Sequence, residues 1–422
     1  MRQRRGRIRA QSSLAVLTAL VVALAACGDD GASGGGSGET APGVDVANKT
    51  LTFGGWRVAS GPVSASDANT RAALAHISKI NDAGGINGWK IKWEPPDAGA
   101  DPSRALQIAR EQVTANNLFA FFDGMGSAQN AAALPYIKTT DVPYFNPATS
   151  DPVPEICTFT PHIIPFPPAI ASAGSLLAKY AYDQLNARKF FVLYSRDANG
   201  QPGQRGVKAF IPSMSGASIV GEGSFAATDT DFSGVGRDIA AAAPDAVIVF
   251  GAVPAAMVKS KKEAIARGST ANWLAMNTFA SPATVALDPA AMDGSYFYLP
   301  QTPFFDTDDE AVNEWLTTVK KYVPDEKSLG GVSQSGFAPV YVLAEAIKRM
   351  TDGGKTPTRD GFVEAFQSMG QTGKIGLIAG VNYTPSKYEG INTYWIAQWK
   401  NNEWTQVAEP TKVPDFDYCG IK

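Results

Sequence analysis

Asn81-Asp82-Ala83-Gly84-Gly85-Ile86-Asn87-Gly88-Trp89-Lys90-Ile91 places three glycines within five residues, between two different hydrophobic rhythms. Upstream, Ala73, Leu74, Ile77 and Ile80 recur at helical spacing behind Ser66 and Asp67, which can cap a helix. Downstream, Trp89-Lys90-Ile91-Lys92-Trp93 alternates as a half-buried strand does. Glycine just past a helix supplies the left-handed residue that satisfies loose carbonyls. Gly88 then permits a turn into the strand. The stretch therefore reads as a tight helix-to-strand reversal.

The same unit repeats on both sides. Leu51–Gly54 reads as a short strand before the turn Ser60-Gly61-Pro62. After Trp93 come a helix over 102–116, a buried strand over 118–122, a helix over 128–139 and a strand over 142–145. A proline-rich stretch (Pro161, Pro165, Pro167, Pro168) reads as a crossover between domains. A second series follows: helices over 169–185, 203–211, 232–242 and 255–267 alternate with strands over 189–194, 217–221, 245–250 and 272–275. Strands alternating with helices predict an α/β fold with parallel sheets covered on both faces. Two such series predict two similar lobes. Near the end, 393–399 and 403–407 alternate around Asn401-Asn402, the pattern of a hairpin.

The chain has 422 residues, with 37 Lys and Arg against 40 Asp and Glu. Five arginines (Arg2, Arg4, Arg5, Arg7, Arg9) fall within residues 1–26, which carry no acid. Without that segment, 32 basic residues face 40 acidic ones, a charge of −8. This balance gives no attraction to nucleic acid. The apolar run Leu14–Ala26 is 13 residues long, suited to a signal segment and too short to span a membrane. It ends in Leu24-Ala25-Ala26-Cys27, which resembles the bacterial lipobox and implies a lipid anchor on Cys27. Gly28 to Gly43 holds no large apolar side chain and reads as a flexible tether. The remaining cysteines, Cys157 and Cys419, fit no metal spacing; in an oxidising compartment they are expected to pair. The two histidines, His76 and His162, are far apart in sequence, so neither a metal nor a cofactor is expected.

Asn81–Gly88, followed by a strand and Asp97, resembles the signature of bacterial leucine/isoleucine/valine-binding proteins and their amide- and urea-binding relatives. Ser60-Gly61-Pro62, Gly126-Ser127, and Val142-Pro143 followed by Pro147-Ala148-Thr149-Ser150 match further landmarks. The resemblance covers about residues 48–410. It implies a type I periplasmic-binding fold of two doubly wound lobes, joined by crossovers near 160–168, 298–303 and 380–386. The expected division is a signal over 1–26, a tether over 27–47, lobe one from 48–163 plus 300–382, and lobe two from 164–299 plus 383–422. It further implies a substrate-binding subunit of an ABC importer, extracytoplasmic and lipid-anchored. Such a protein is a monomer that meets a small solute and the permease and ATPase subunits. A lipoprotein that passes a ligand signal to a receptor is the rival reading.

In open α/β sheets ligands sit beyond the carboxyl ends of strands. The loops 55–66, 123–128, 146–151, 195–203, 251–255 and 276–281 are therefore expected to line the cleft. Ser127, with the N–H groups of its helix start, can hold a carboxylate, or can simply cap the helix. The resemblance assigns the second clamp to Ala148, Thr149 and Ser150. The position of the family's ammonium-binding glutamate falls near Asn277 or Thr278, and those of its tyrosines near Pro202 and Val253. The ammonium partner is thus missing where it is expected, and Asp197 is the candidate replacement. A buried unpaired ammonium is costly, so the cargo need not be a free amino acid. Trp56, Phe145 and Phe279 are either core or an apolar wall for the ligand. The family's own disulfide positions fall near Ala100 and Gly126, which suits a relocated bridge between Cys157 and Cys419.

Enzyme motifs fail their context. Gly31-Ala32-Ser33-Gly34-Gly35 has the G-x-S-x-G pattern but lies in the tether. Gly221 to Ala226 matches G-x-G-x-x-A, yet Ala227-Thr228-Asp229-Thr230-Asp231 opens no helix. Gly353-Gly354-Lys355-Thr356 has the end of a P-loop, but Arg349 stands where its first glycine belongs. No enzymatic activity is expected. For the anchor, mass spectrometry of the membrane-extracted chain should find a diacylglyceryl group on an N-terminal Cys27, and Cys27→Ala should abolish fatty-acid incorporation. A wild-type chain without lipid contradicts the assignment.

Overall fold

The helix Asp67–Asp82 runs into the reversal as its residues dictate. Gly84 (φ 99°) and Gly85 (φ 81°) are both left-handed, and their N–H groups return to Asn81 O and Ile80 O. A Cβ on Gly85 would stand 2.3 Å from the Trp89 carbonyl oxygen, so only glycine fits. Ile86 and Trp89 exchange two backbone hydrogen bonds of 2.8 Å around Asn87 (φ 50°) and Gly88 (φ 83°). Two left-handed central residues define the type I′ turn that Asn-Gly favours. Asn81 adds a further bond pair: its amide nitrogen donates to Ile91 O at 2.8 Å, and its oxygen accepts from Ile91 N–H at 2.9 Å. One side chain thus fastens the helix end to the strand it feeds.

The computed structural model describes residues 40–422 except 62–63, 150–156, 168, 227, 252, 327–328, 415–416, 418 and 421–422. The signal segment, Cys27, most of the tether and Ser150 lie outside the described residues. The strands of the first sheet are β1 (Val44–Asp45), β2 (Thr50–Gly54), β3 (Lys90–Trp93), β4 (Ala120–Phe122), β5 (Tyr144–Phe145) and β6 (Ile163–Ile164). They stand in the order β3-β2-β4-β5-β6, all parallel, with β1 antiparallel to the start of β2. The second sheet holds β7 (Lys189–Ser195), β8 (Ser218–Phe225), β9 (Ala246–Phe250), β10 (Asn272–Ala275) and β11 (Ser295–Leu299). Its order β8-β7-β9-β10-β11 is again parallel and repeats the first. Both are therefore 2-1-3-4-5 sheets, whose switch point lies between the first and third strands.

Past β11 the rhythm changes. Helices Glu310–Tyr322, Gly331–Thr351 and Arg359–Gln367 return to the first half, the first two packing on Asp67–Asp82. A small antiparallel sheet follows: β12 (Gly370–Gln371), β13 (Val381–Thr384) and β14 (Lys387–Ile391). The hairpin β15 (Thr393–Lys400) and β16 (Glu403–Lys412) then extends the second sheet beside β11.

Two details depart from the sequence reading. The tether was expected to reach residue 47, but Val44 pairs with Leu51, because a short apolar segment can satisfy its backbone on the edge of β2. The third crossover lies near 391–393, not 380–386. Residues 381–391 instead form a hairpin whose Tyr383 and Tyr388 are buried.

The crossovers are tied to the segments beside them, and the first to the third through Ile391 and Phe166. Tyr383 Oη donates to Pro165 O (3.0 Å), Tyr388 Oη to Pro161 O (2.8 Å), and Ile391 N–H to Phe166 O (3.1 Å). Thr302 N–H donates to Leu377 O at 2.6 Å, and the Gln334 amide donates to Thr302 O at 3.1 Å. Cys157 and Cys419 form a disulfide with their Cα atoms 5.5 Å apart, across 262 residues of chain. Loop-closure entropy sets its contribution at about 5–6 kcal/mol.

His76 is a core residue. Its ring stacks on Phe337 at 3.9 Å, meets Tyr341 edge-on, and makes a 2.9 Å hydrogen bond from Nδ1 to Phe337 O. Burial pushes its pKa down to about 4. The unfolded chain takes up this proton first, near pH 6.5, so stability falls as pH drops from 6.5 towards 4. The loss amounts to roughly 3 kcal/mol. With two histidines in the chain, an NMR titration can assign both. His76 should stay neutral down to about pH 4, and a midpoint near 6.5 would contradict this packing.

Candidate functional site

At the switch point of the first sheet, the ends of β2, β4 and β5 are bound into one ledge. Met125 N–H donates to Trp56 O (3.1 Å), and the Trp56 indole N–H donates to Met125 O (3.0 Å). Gly126 N–H donates to Ala148 O (3.0 Å), and Ala148 N–H to Gly124 O (3.2 Å). Asn130 braces the turn from inside, its amide donating to Gly124 O and Gly126 O, while its oxygen accepts from Tyr144 Oη at 2.7 Å. Asp97 fixes the neighbouring loop. Its carboxylate accepts from Ala59 N–H (2.9 Å) and Gly99 N–H (2.8 Å). Burial raises its pKa, but hydrogen bonds from the Ser60 hydroxyl and those two N–H groups outweigh it and hold the acid below its usual range.

Ser127 is the first residue of the helix Ser127–Ile137 and is half-buried. Gly126, at φ 107°, takes the cap position and has no side chain with which to cap the helix. A helix start offers N–H donors and a positive dipole end to an anion. Ala148 and Thr149 are half-buried on the same ledge, but the Ala148 N–H is engaged by Gly124 O, so this residue lines the site chiefly by shape.

Beneath the ledge lies a pair that sequence reasoning missed. Asp123 (φ 49°) and Asn146 (φ 57°) stand just past β4 and β5, both buried, and the Asn146 amide donates to Asp123 Oδ1 at 2.7 Å. Among the described residues Asp123 Oδ2 has no hydrogen-bond partner, and burial pushes the carboxyl well above the usual carboxylate range. An acid directly after the apolar run Leu118–Phe122 was the available signal.

Across the second sheet, Asp197 Oδ1 accepts from Ser195 Oγ (2.6 Å) and Asn199 N–H (2.9 Å), shaping the turn into the helix Gln201–Phe210. Thr278 Oγ1 donates to Gly251 O at 2.7 Å, joining the loops after β9 and β10. Asn277 is half-buried in the same turn, which the helix Gly331–Thr351 approaches from the first half. Trp56, Phe145 and Phe279 are fully buried, so of the two readings, core and ligand wall, the structure shows core. Phe145 packs on Phe366 and Phe166, and Trp56 on Tyr144 and Phe121. The described cations at these strand ends are paired: Arg57 with Asp67, and Arg196 with Asp229 at 3.5 Å. Among the described residues no three His, Cys, Asp or Glu side chains gather as metal ligands would.

Solved structures share this architecture. A fatty acid ABC transporter substrate-binding protein from Thermomonospora curvata aligns at TM-score 0.71 and 19% identity, covering 90% of this chain and 96% of its own. An ABC transporter substrate binding protein from Aeropyrum pernix aligns at 0.73 and 19% identity, covering 88% and 98%. A leucine binding protein from Thermotoga maritima aligns at 0.68 and 17% identity, covering 87% and 100%. At such identities the likeness establishes the fold. No curated protein matches the chain in sequence. Residues 50–403 match the family model described as periplasmic binding protein, and the chain belongs to that family.

Proposed function

We propose that the chain is the substrate-binding subunit of an ABC importer, held outside the cytoplasm by lipidated Cys27. Its cargo is a small polar or carboxylate-bearing solute: a branched-chain amino acid-like molecule, or a related amide or organic acid. Family membership supports the solute-binding role. The observation that carries the site is the helix start at Gly126-Ser127, with glycine at the cap position, on a ledge fixed at the switch point of the first sheet. In this reading Ser127, Thr149 and Ser150 receive the carboxylate end, beside the backbone at Ala148. Asp197, Asn277 and Thr278 receive the other end from the second lobe. The closed form is selected by a ligand that touches both lobes.

Ser127→Ala separates binding from folding, because the cap position belongs to Gly126. Calorimetric titration with a carboxylate ligand should show a loss of about 1.5–3 kcal/mol, roughly 10- to 150-fold in affinity. Denaturant unfolding of the same variant should change little. Unchanged affinity together with lost stability would assign Ser127 to the fold alone.

A further inference from the structure

A cavity of 440 Å³ lies at the opposite end of the first sheet, where β2 and β3 begin. Its lining brings together Lys49, Asn87 and the segment Gly353-Gly354-Lys355-Thr356. Lys49 is a non-glycine residue in the left-handed region (φ 47°), a conformation that invites a functional reason. Its side chain lies over Gly88: a Cβ there would stand 3.3 Å from Lys49 Nζ. The helix Gly331–Thr351 ends beneath Asn87, whose amide donates to Lys348 O and Thr351 Oγ1. Gly353 (φ 70°) and Gly354 (φ 79°) then turn the chain along the cavity.

The electrostatics favour an anion. Neither Lys49 nor Lys355 makes an ion pair among the described residues, and the same holds for the adjoining Lys90 and Lys348. Asp352 on the lining and Asp45 beside Val46 oppose these four lysines, leaving an excess of positive charge. The N–H groups of Lys355 and Thr356 donate to no acceptor among the described residues. Two ammonium groups, backbone donors and a threonine hydroxyl suit the several acceptor oxygens of a phosphate. The volume exceeds what a bare phosphate fills, and Trp89 and Val46 add apolar wall for the alcohol part of an ester.

We propose that this cavity binds a phosphate monoester or diester, with Lys49 and Lys355 as the paired cations. The site is separate from the interlobe cleft and stands whether or not the transport reading does. A soluble phosphate ester and a phospholipid headgroup share the required chemistry, and the experiment separates them. The full-length chain is titrated calorimetrically with inorganic phosphate, glycerol 3-phosphate, and dihexanoylphosphatidylglycerol below its micellar concentration. Saturable 1:1 binding of any one, weakened about tenfold or more in Lys49→Gln/Lys355→Gln and by added salt, supports the site. Preference for the lipid identifies a headgroup site, and preference for either soluble ligand a free-metabolite site. Because both lysines are exposed, the double variant should keep the wild-type unfolding curve. Absence of binding by all three probes, or equal binding by the double variant, overturns the proposal.

Discussion

A parallel sheet must be covered on both faces, and that requirement governs this molecule. Each strand ends at one edge, the chain crosses over as a helix, and the next strand begins at the other edge. Applied twice in the order 2-1-3-4-5, the rule produces two sheets with equivalent switch points. The chain leaves the first sheet after β6 and the second after β11, at their carboxyl ends in both cases. The carboxyl ends therefore adjoin the crossovers, and the loops beyond them are the ones that relative motion of the halves can bring onto a solute. Those loops are also free of the packing duty that fixes the strands, so they can carry polar chemistry.

Three connections that run together behave differently from a single linker. Thr302 N–H donates to Leu377 O and Ile391 N–H to Phe166 O, and the Tyr383 hydroxyl adds a side-chain bond to Pro165 O. Bending these segments is compatible with such bonds; sliding or separation breaks them. The arrangement favours a hinge over a shear. The disulfide from Cys157 to Cys419 adds a covalent tie between the last segment of the chain and the stretch before the first crossover.

Much of the fold was legible because it is local. Asn87-Gly88 demands its turn, Gly84-Gly85 ends its helix, and the alternation of Trp89 to Trp93 sets which face is buried. The second βα series was equally plain. Residues 300–390 were not, because two of their helices are placed by packing against Asp67–Asp82, the third by packing on the helix Gly331–Thr351, and their hairpin by contact with the first crossover, none of which leaves a periodic mark. At the site, the sequence could place Ser127 at a helix start but not show that Gly126 holds the cap position. It could not distinguish wall from core for Trp56, Phe145 and Phe279, since burial of an aromatic depends on what lies opposite. Asp123 and Asn146 escaped notice because their pairing joins two loops 23 residues apart.

Hydrogen exchange read by mass spectrometry, with and without a solute that raises the melting temperature, tests the central claim most directly. A ligand held between the lobes should protect 123–130 and 146–149 together with 195–200 and 276–281, while leaving the exposed edge strand at 403–412 unchanged. Protection confined to one lobe, or lying outside these strand-end loops, would contradict a cleft that closes over its cargo.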